Sequence, residues 1–341
     1  MKLHKEKLPG QYYFANDSNN YKTIAMSNRD EKILVVGACG QIGVELTLNL
    51  RKMYGEGVVI ASDLREEHPL LKGTGPYVSL DIMNKETFHV LVLRYNITQV
   101  YLLAAILSAT GEKNPVLAWH VNMQSLLNVL EVAKEEGLHK IYWPSSIAVF
   151  GPESPKDDTP QHTIIEPTTV YGISKFAGER WCEYYFKRYN IDVRSLRYPG
   201  LISYKSQPGG GTTDYAIEMF HDAINEGSYT SFLTESTYLP MMYMPDAIRA
   251  TIELMEADGA KLSIRSSYNI GAMSFSPKEV AAEIKKHIPD FSIDYKPDSR
   301  QKIADSWPKS IDDSRAKNDW GWKAEYDISR MTEDMLGNLK K

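Results

Sequence analysis

Cysteine is scarce. Cys39 and Cys182 are the only two among 341 residues. Two thiols cannot build a disulfide framework or a Cys-rich zinc site, and a reduced compartment is the expectation. A basic excess is missing too. Lys plus Arg number 39 against 44 Asp plus Glu, a net charge of -5, so nothing is in surplus to neutralise phosphates along a duplex, and nucleic acid is not expected as a partner. No apolar run approaches the roughly 18 residues of a membrane-spanning helix, so no membrane is expected either. None of the eight histidines stands in an HxxxH or HExxH pair, and no metal is expected.

The remaining composition is that of a globular protein, with 43% hydrophobic and 24% charged residues. The length suits roughly two domains or one large α/β unit. Residues 1–30 are polar and lack the apolar stretch of a secretory signal. Asp17, Asp30 and a single arginine argue against a transit peptide. The segment reads as an N-terminal extension, docked through Tyr12, Tyr13 and Phe14.

From residue 31 the pattern alternates. Ile33-Leu34-Val35-Val36 is a short apolar run with β-branched residues, as in a buried strand. Ile42, Leu46, Leu50 and Met53 then recur at helical spacing. Gly55 and Gly57 stop that helix, and Val58-Val59-Ile60-Ala61 reads as the next strand. Val100-Tyr101-Leu102-Leu103 and Ile141-Tyr142-Trp143 continue the series. Between them, Asn114 suits an N-cap and Pro115 the first helical turn. Such alternation predicts a parallel sheet covered on both faces.

Gly37-Ala38-Cys39-Gly40-Gln41-Ile42-Gly43 has GxxGxxG spacing between a strand and a helix. Glycines there allow a tight turn, close approach of backbone to a pyrophosphate, and close helix–strand packing. The helix start supplies unpaired N–H groups and a positive dipole end. Asp63 ends the second strand, 20 positions after Gly43, where an acceptor for the adenosine ribose hydroxyls belongs. Its carboxylate would repel a 2′-phosphate, so the cofactor expected is NAD rather than NADP. Arg65 blurs that choice slightly. Asp81-Ile82 follows another apolar approach, and Asp81 is either an acceptor for the adenine amino group or an ordinary loop residue. Cys39 is read as a small residue that fits the turn.

Tyr171 and Lys175 stand at i and i+4, on one helix face. A free phenol has a pKa near 10, too high for a good base at pH 7. A cation one turn away favours the phenolate, and the tyrosine can then take a hydroxyl proton while hydride leaves for a nicotinamide. Ser146, 25 residues earlier and just past the strand ending at Trp143, can hydrogen-bond the reacting oxygen.

These motifs resemble the extended short-chain dehydrogenase/reductase family, and more closely its L-threonine 3-dehydrogenase branch. The resemblance covers about residues 31–338. It also rests on Trp143-Pro144-Ser145-Ser146-Ile147-Ala148-Val149-Phe150-Gly151, on Leu196-Arg197-Tyr198-Pro199-Gly200, on Pro208-Gly209-Gly210-Gly211-Thr212-Thr213-Asp214-Tyr215-Ala216 and on Ala304-Asp305-Ser306-Trp307-Pro308. It implies a Rossmann-type doubly wound α/β fold with a smaller C-terminal substrate lobe. The expected boundaries are an extension over 1–30, an NAD-binding domain over 31–197, and a mainly substrate-binding lobe over 198–341, with Tyr268-Asn269-Ile270-Gly271 returning to the sheet.

The implied reaction is oxidation of the β-hydroxyl of L-threonine by NAD⁺ to 2-amino-3-oxobutanoate. Tyr171 would be the acid/base and Ser146 would orient the hydroxyl. Lys175 would tune the phenol and hold the nicotinamide ribose. Asn122 matches the family asparagine near the catalytic lysine. Leu103, Ala104 and Ala105 would line the cofactor, and Tyr198 and Pro199 would border the nicotinamide. A homodimer through helices at about 115–136 and 168–189 is implied as well.

The substrate end leaves alternatives open. Gly209 to Thr213 either present donors to a substrate carboxylate or lead into a plain helix cap at Thr213 or Asp214, and both can hold. Ser108 and Thr110 either face the substrate or are loop polarity. Trp307 either closes over the pocket or anchors a C-terminal loop. The glycine and proline cluster near 208–211 suggests a mobile lid. A nucleotide-sugar epimerase or dehydratase is the competing enzyme, and a non-catalytic NAD-binding protein the competing class. A cytoplasmic location is expected, with the mitochondrial matrix as the alternative.

Overall fold

A computed structural model of the chain describes residues 31–205 and 211–340, with the backbone of two strands nearer the N-terminus. These are β1 (Gln11–Phe14) and β2 (Lys22–Ala25), which pair antiparallel. Docking through Tyr12, Tyr13 and Phe14, a transit function for residues 1–30 and the lid near 208–211 (apart from Gly211) concern side chains or segments outside the described residues.

The order that follows is β3 (Ile33–Val36), α1 (Gln41–Tyr54), β4 (Val59–Asp63), β5 (Tyr77–Ser79), α2 (Lys85–Tyr95), β6 (Gln99–Leu102), α3 (Ser108–Lys113), α4 (Pro115–Glu136), β7 (Lys140–Tyr142), β8 (Ser145–Ser146), α5 (Val170–Tyr189) and β9 (Val193–Arg194). Six of the strands form one parallel sheet in the order β5-β4-β3-β6-β7-β9. Every residue of β3 and β6 is buried, as parallel strands covered on both faces require. This is the expected doubly wound α/β architecture.

Local chemistry sets the helix ends. Asn114 Oδ1 accepts from Leu117 N–H at 3.2 Å with Pro115 in the first turn, and α4 ends at Gly137 in the left-handed region. Thr169 caps α5 at Gly172 N–H. Helices α4 and α5 then pack side by side. The approach of α5 to the sheet needs Gly178, because a Cβ there would lie 2.3 Å from the Trp143 ring.

The chain continues through β10 (Leu196–Tyr198), β11 (Gly200–Ile202), α6 (Tyr215–Asn225), β12 (Ser228–Ser231), β13 (Leu239–Tyr243), α7 (Met244–Glu256), β14 (Tyr268–Asn269), β15 (Met273–Phe275), α8 (Pro277–His287), β16 (Ser292–Tyr295), α9 (Arg300–Ser306), α10 (Ser314–Trp320) and α11 (Ile328–Leu339). Ser146 lies just past β7, beyond the main sheet. It belongs to β8, which pairs with β10 beside β14 in a separate parallel sheet. Pro144 explains the break, since it has no N–H to extend the β7 ladder.

A second core gathers Phe150, Tyr215, Phe220, Met241, Phe275 and Met335 around α6, α8 and α11. Residues beyond 198 also return to the first part, and Tyr268-Asn269 does so in the small β14-β10-β8 sheet rather than the six-stranded one. β14 joins β10, and α7 packs on α1 in the core that holds β3. Among the described residues no helix is long and apolar enough to cross a membrane.

Candidate active site

The turn after β3 is shaped by its glycines. Gly37 adopts φ +88°, and a Cβ there would stand 2.7 Å from Ala104 N. A Cβ on Gly43 would lie 2.2 Å from the Gly37 carbonyl oxygen, so helix and turn touch only because the side chain is absent. Gly40 meets only that carbonyl, at 3.3 Å, and is otherwise open. It is the N-cap of α1, with no side-chain cap and no acidic residue in the first turn. First-turn N–H groups have no intrahelical partner, and those of Gln41, Ile42 and Gly43 open on a cleft of about 940 Å³. A diphosphate fits this arrangement in charge and in backbone clearance.

Asp63 lines the cleft beside this turn. One carboxylate oxygen accepts from Arg65 N–H at 3.0 Å and Arg65 Nε at 3.1 Å. The other accepts from Cys39 N–H at 3.0 Å and Arg65 Nη2 at 3.2 Å. Burial works against the charge, but the hydrogen bonds from Arg65 and Cys39 outweigh it and hold the carboxyl below its ordinary value. Arg65 is 63% exposed, while Asp63 is nearly buried. The pair thus joins a buried carboxylate to an exposed guanidinium that it holds through Nε and Nη2. Asp81, Ile82, Leu103, Ala104 and Ala105 extend the same wall. Asp81 is exposed and accepts from Met83 N–H at 2.9 Å.

Tyr171, Lys175 and Ser146 meet in this cleft. Ser146 lies beside the Tyr171 hydroxyl and favours its ionised form, and its oxygen accepts from Ala148 N–H at 3.2 Å. Lys175 Nζ lies 5.5 Å from the Tyr171 ring centroid and 4.4 Å from that of Trp143, and donates to the Pro144 carbonyl at 2.6 Å. Burial pushes the phenol up to about 12, with the Ser146 hydrogen bond pulling the other way. Burial also lowers the Lys175 ammonium to about 7, against the pull of nearby groups such as Glu179. The expectation that Lys175 brings the phenol below its ordinary value is therefore corrected, because desolvation of the ring dominates. Chemically, the two groups form a pair sharing one exchangeable proton over a wide pH range.

The far end of the cleft is polar. Ser108, at the start of the short helix α3, faces it together with Thr110, Gly211, Thr212, Thr213 and Trp307. Trp307 lines the cleft and is 7% exposed within the second core. Asp214 also lines the cleft, and its carboxylate accepts from Gly211 N–H at 2.7 Å. It precedes α6 and makes no side-chain cap there, so its carboxylate organises the glycine-threonine turn.

The sequence model of the NAD dependent epimerase/dehydratase family matches residues 33–271. The chain belongs to that family. An uncharacterized epimerase/dehydratase of Staphylococcus haemolyticus is 51% identical over 313 residues, covering 91% of this chain and 98% of that protein. The structure of a GalE-like L-threonine dehydrogenase from Cupriavidus necator, in its holo form, is 58% identical with a TM-score of 0.89, covering 90% of this chain and 99% of that one. A monomeric L-threonine 3-dehydrogenase from a metagenome is 52% identical with a TM-score of 0.87, covering 90% and 98%.

Within this family member, two site expectations need amending, those for Cys39 and Asn122. Cys39 does not line the cleft. Its N–H is taken by Asp63, and its thiol points at Glu66 O and the Tyr77 hydroxyl. Asn122 is buried behind the wall, bonded to Ile106 N–H at 2.7 Å, Ile106 O at 3.0 Å and Ser174 Oγ at 3.2 Å. It shapes the Ile106 segment rather than meeting a cofactor. Tyr198 lines the cleft with its ring, while its hydroxyl turns inward to Tyr142 at 2.6 Å and to Thr251. Asp214, a candidate cap alongside Thr213, lines the cleft as well. Its cleft position carries no local sequence signal beyond the glycines before it.

Proposed function

We propose that the protein is an NAD-dependent L-threonine 3-dehydrogenase, oxidising the β-hydroxyl of L-threonine to 2-amino-3-oxobutanoate. The observation that carries this reading is the single cleft. It joins the dinucleotide turn at one end, Tyr171, Lys175 and Ser146 in the middle, and a small polar end formed by Thr212, Thr213 and Asp214. The 58% identity to an L-threonine dehydrogenase across nearly the whole chain supports it.

Ser146 orients the substrate hydroxyl, Tyr171 removes its proton, and Lys175 supplies the cation that favours the phenolate within the singly protonated pair. Bound NAD⁺ supplies the hydride acceptor and a positive charge. The first-turn N–H groups of α1 would hold its diphosphate and Asp63 its adenosine ribose. Backbone and hydroxyl donors at Gly211 to Thr213 suit the substrate carboxylate, and Asp214 suits the ammonium. Trp307 shields that end from water. A nucleotide-sugar substrate is the weaker alternative, because the far end offers an amino acid matching polar groups.

Exposed apolar residues on α4 and α5, among them Val116, Trp119, Ile173 and Trp181, fit a homodimer through these helices. A cytoplasmic location accords with the bacterial relatives. The functional test is NADH formation with NAD⁺ and L-threonine, compared with turnover of a nucleotide sugar. NADH release with the amino acid alone supports the reading, and turnover of only the sugar overturns it.

A further inference from the structure

A buried ion pair lies directly behind the catalytic groups. Glu179 follows Lys175 by one turn of α5, on the same face. Its side chain is 0% exposed, and that of its partner Arg197 is 3%. Arg197 meets it side-on, Nε to Oε1 at 2.8 Å and Nη2 to Oε2 at 2.7 Å. Oε1 also accepts from Ser145 Oγ at 2.6 Å. Arg197 Nη1 reaches the Gln161 carbonyl at 3.2 Å and Asn269 Oδ1 at 3.1 Å. Every polar atom of the pair is therefore used, which is the condition under which a buried pair can hold one geometry.

The pair ties together the two pieces of backbone that carry the chemistry. Residues 143–146 are fastened to α5 by Lys175 on the Pro144 carbonyl, by the ammonium over the Trp143 ring, and by Glu179 on Ser145. Arg197 stands opposite Ser145 in the β8–β10 ladder, where Tyr198 stands opposite Ser146. A shift of Glu179 would thus move Ser146 relative to Tyr171. We propose that Glu179 and Arg197 are the positioning residues of this site: they fix Ser146 against α5 and set a carboxylate beside the Lys175 ammonium. The proposal rests on the reading of Tyr171 and Lys175 as the acid–base pair.

The electrostatic part follows from what surrounds Lys175. On its own helix, the Cys182 thiol and, after it, Glu179 favour its cation. Burial pushes that thiol up, so it stays neutral. Tyr171 lies one turn before. From the sheet side Lys175 meets the neutral Trp143 ring and Pro144 carbonyl. Helix α4, on the other side of α5, brings the neutral Asn122 amide to Ser174. Arg197 in β10 is the opposing cation, and it acts through its contact with Glu179. Glu179 is therefore the carboxylate that offsets part of the burial cost of the Lys175 cation and so raises the share of the pair with its proton on Lys175.

The test reads Lys175 itself, free of any assumption about substrate. In protein labelled with ¹³C-lysine, the Lys175 Cε resonance is assigned by its loss in Lys175→Met and titrated by NMR. The wild-type midpoint is expected near 7, and in Glu179→Gln it falls by about one unit or more. The double variant Glu179→Gln/Arg197→Met removes both charges with little change in volume, and its midpoint falls as well. The acid limb of the pH–rate profile with L-threonine moves down with it, the plateau drops about tenfold or more, and NAD⁺ affinity by calorimetry changes less than about threefold. An unchanged Lys175 midpoint in folded variants overturns the proposal, even with activity lowered uniformly across pH. Failure of both variants to fold overturns it too, marking the pair as structural only. Absence of wild-type turnover with L-threonine would instead count against the functional reading, leaving the Lys175 titration to decide this one.

Discussion

The ammonium of Lys175 donates to the carbonyl oxygen of Pro144 at 2.6 Å. That contact joins α5 to the segment bearing Ser146, across 31 residues of chain. It also holds a cation in a place where burial opposes it.

Function and stability therefore pull in opposite directions at Lys175. Its pKa falls from 10.5 in the free side chain to about 7 in the fold. Between those values the unfolded chain binds more protons, so stability rises with pH from about 7 to about 10.5, and the cost is fully present below about 7. Lys175→Met should abolish turnover. It should also raise stability at pH 6, by an amount on the order of 1–4 kcal/mol. Denaturant melts at pH 6 and pH 9 check this, with a larger gain at the lower pH.

The pH dependence of activity follows from the shared proton. The Tyr171–Lys175 pair loses one proton near 7 and a second near 12. The active form is the singly protonated pair, in which the share with the proton on Lys175 and Tyr171 as phenolate takes the substrate proton. kcat/KM for L-threonine should rise about tenfold per pH unit below about 7 and flatten above it. A profile that is flat from pH 5 to pH 9 would contradict this assignment.

Cofactor choice hangs on Asp63 and Arg65. Asp63→Ala removes the ribose acceptor and frees the Arg65 guanidinium for a 2′-phosphate. Hydrogen bonds to a charged group are worth about 1.5–3 kcal/mol, so the preference for NAD⁺ over NADP⁺ should fall about tenfold to a hundredfold. Comparison of kcat/KM for the two cofactors measures it. An unchanged ratio would show that Asp63 does not face the ribose.

Assembly can be checked on α5. Ile173 and Trp181 are 45% and 39% exposed, on the face proposed to meet a second copy. Ile173→Asp combined with Trp181→Glu should leave a folded monomer where the wild type sediments as a dimer, because a charge buried at such a contact has no partner. A wild type that is monomeric at micromolar concentration would refute the proposed dimer.

The first half of the fold was legible because its signals are local. Asn114 and Pro115 begin a helix wherever they fall before an amphipathic run, and Gly37 to Gly43 announce a turn between a strand and a helix. The Tyr171/Lys175 spacing likewise needs only one helix to become a shared face. What could not be read depends on distant chain. Ser145 meets Glu179 across 34 residues, and nothing near either residue announces the other. The inward turn of the Tyr198 hydroxyl depends on Tyr142 and Thr251. Asn122 and Cys39 sit in the right segments, yet their polar atoms are claimed by Ile106 and Asp63. The raised phenol was missed for a related reason. A sequence shows the neighbouring cation, but not the burial that outweighs it.

The central claim is that Tyr171 moves the substrate proton. Tyr171→Phe keeps the ring, and so the packing, while removing the one oxygen at issue. Calorimetry with NAD⁺ and stopped-flow NADH formation with L-threonine should show cofactor affinity within about threefold of wild type and a rate lowered by about a thousandfold or more. A Tyr171→Phe protein that forms NADH at the wild-type rate would contradict the account.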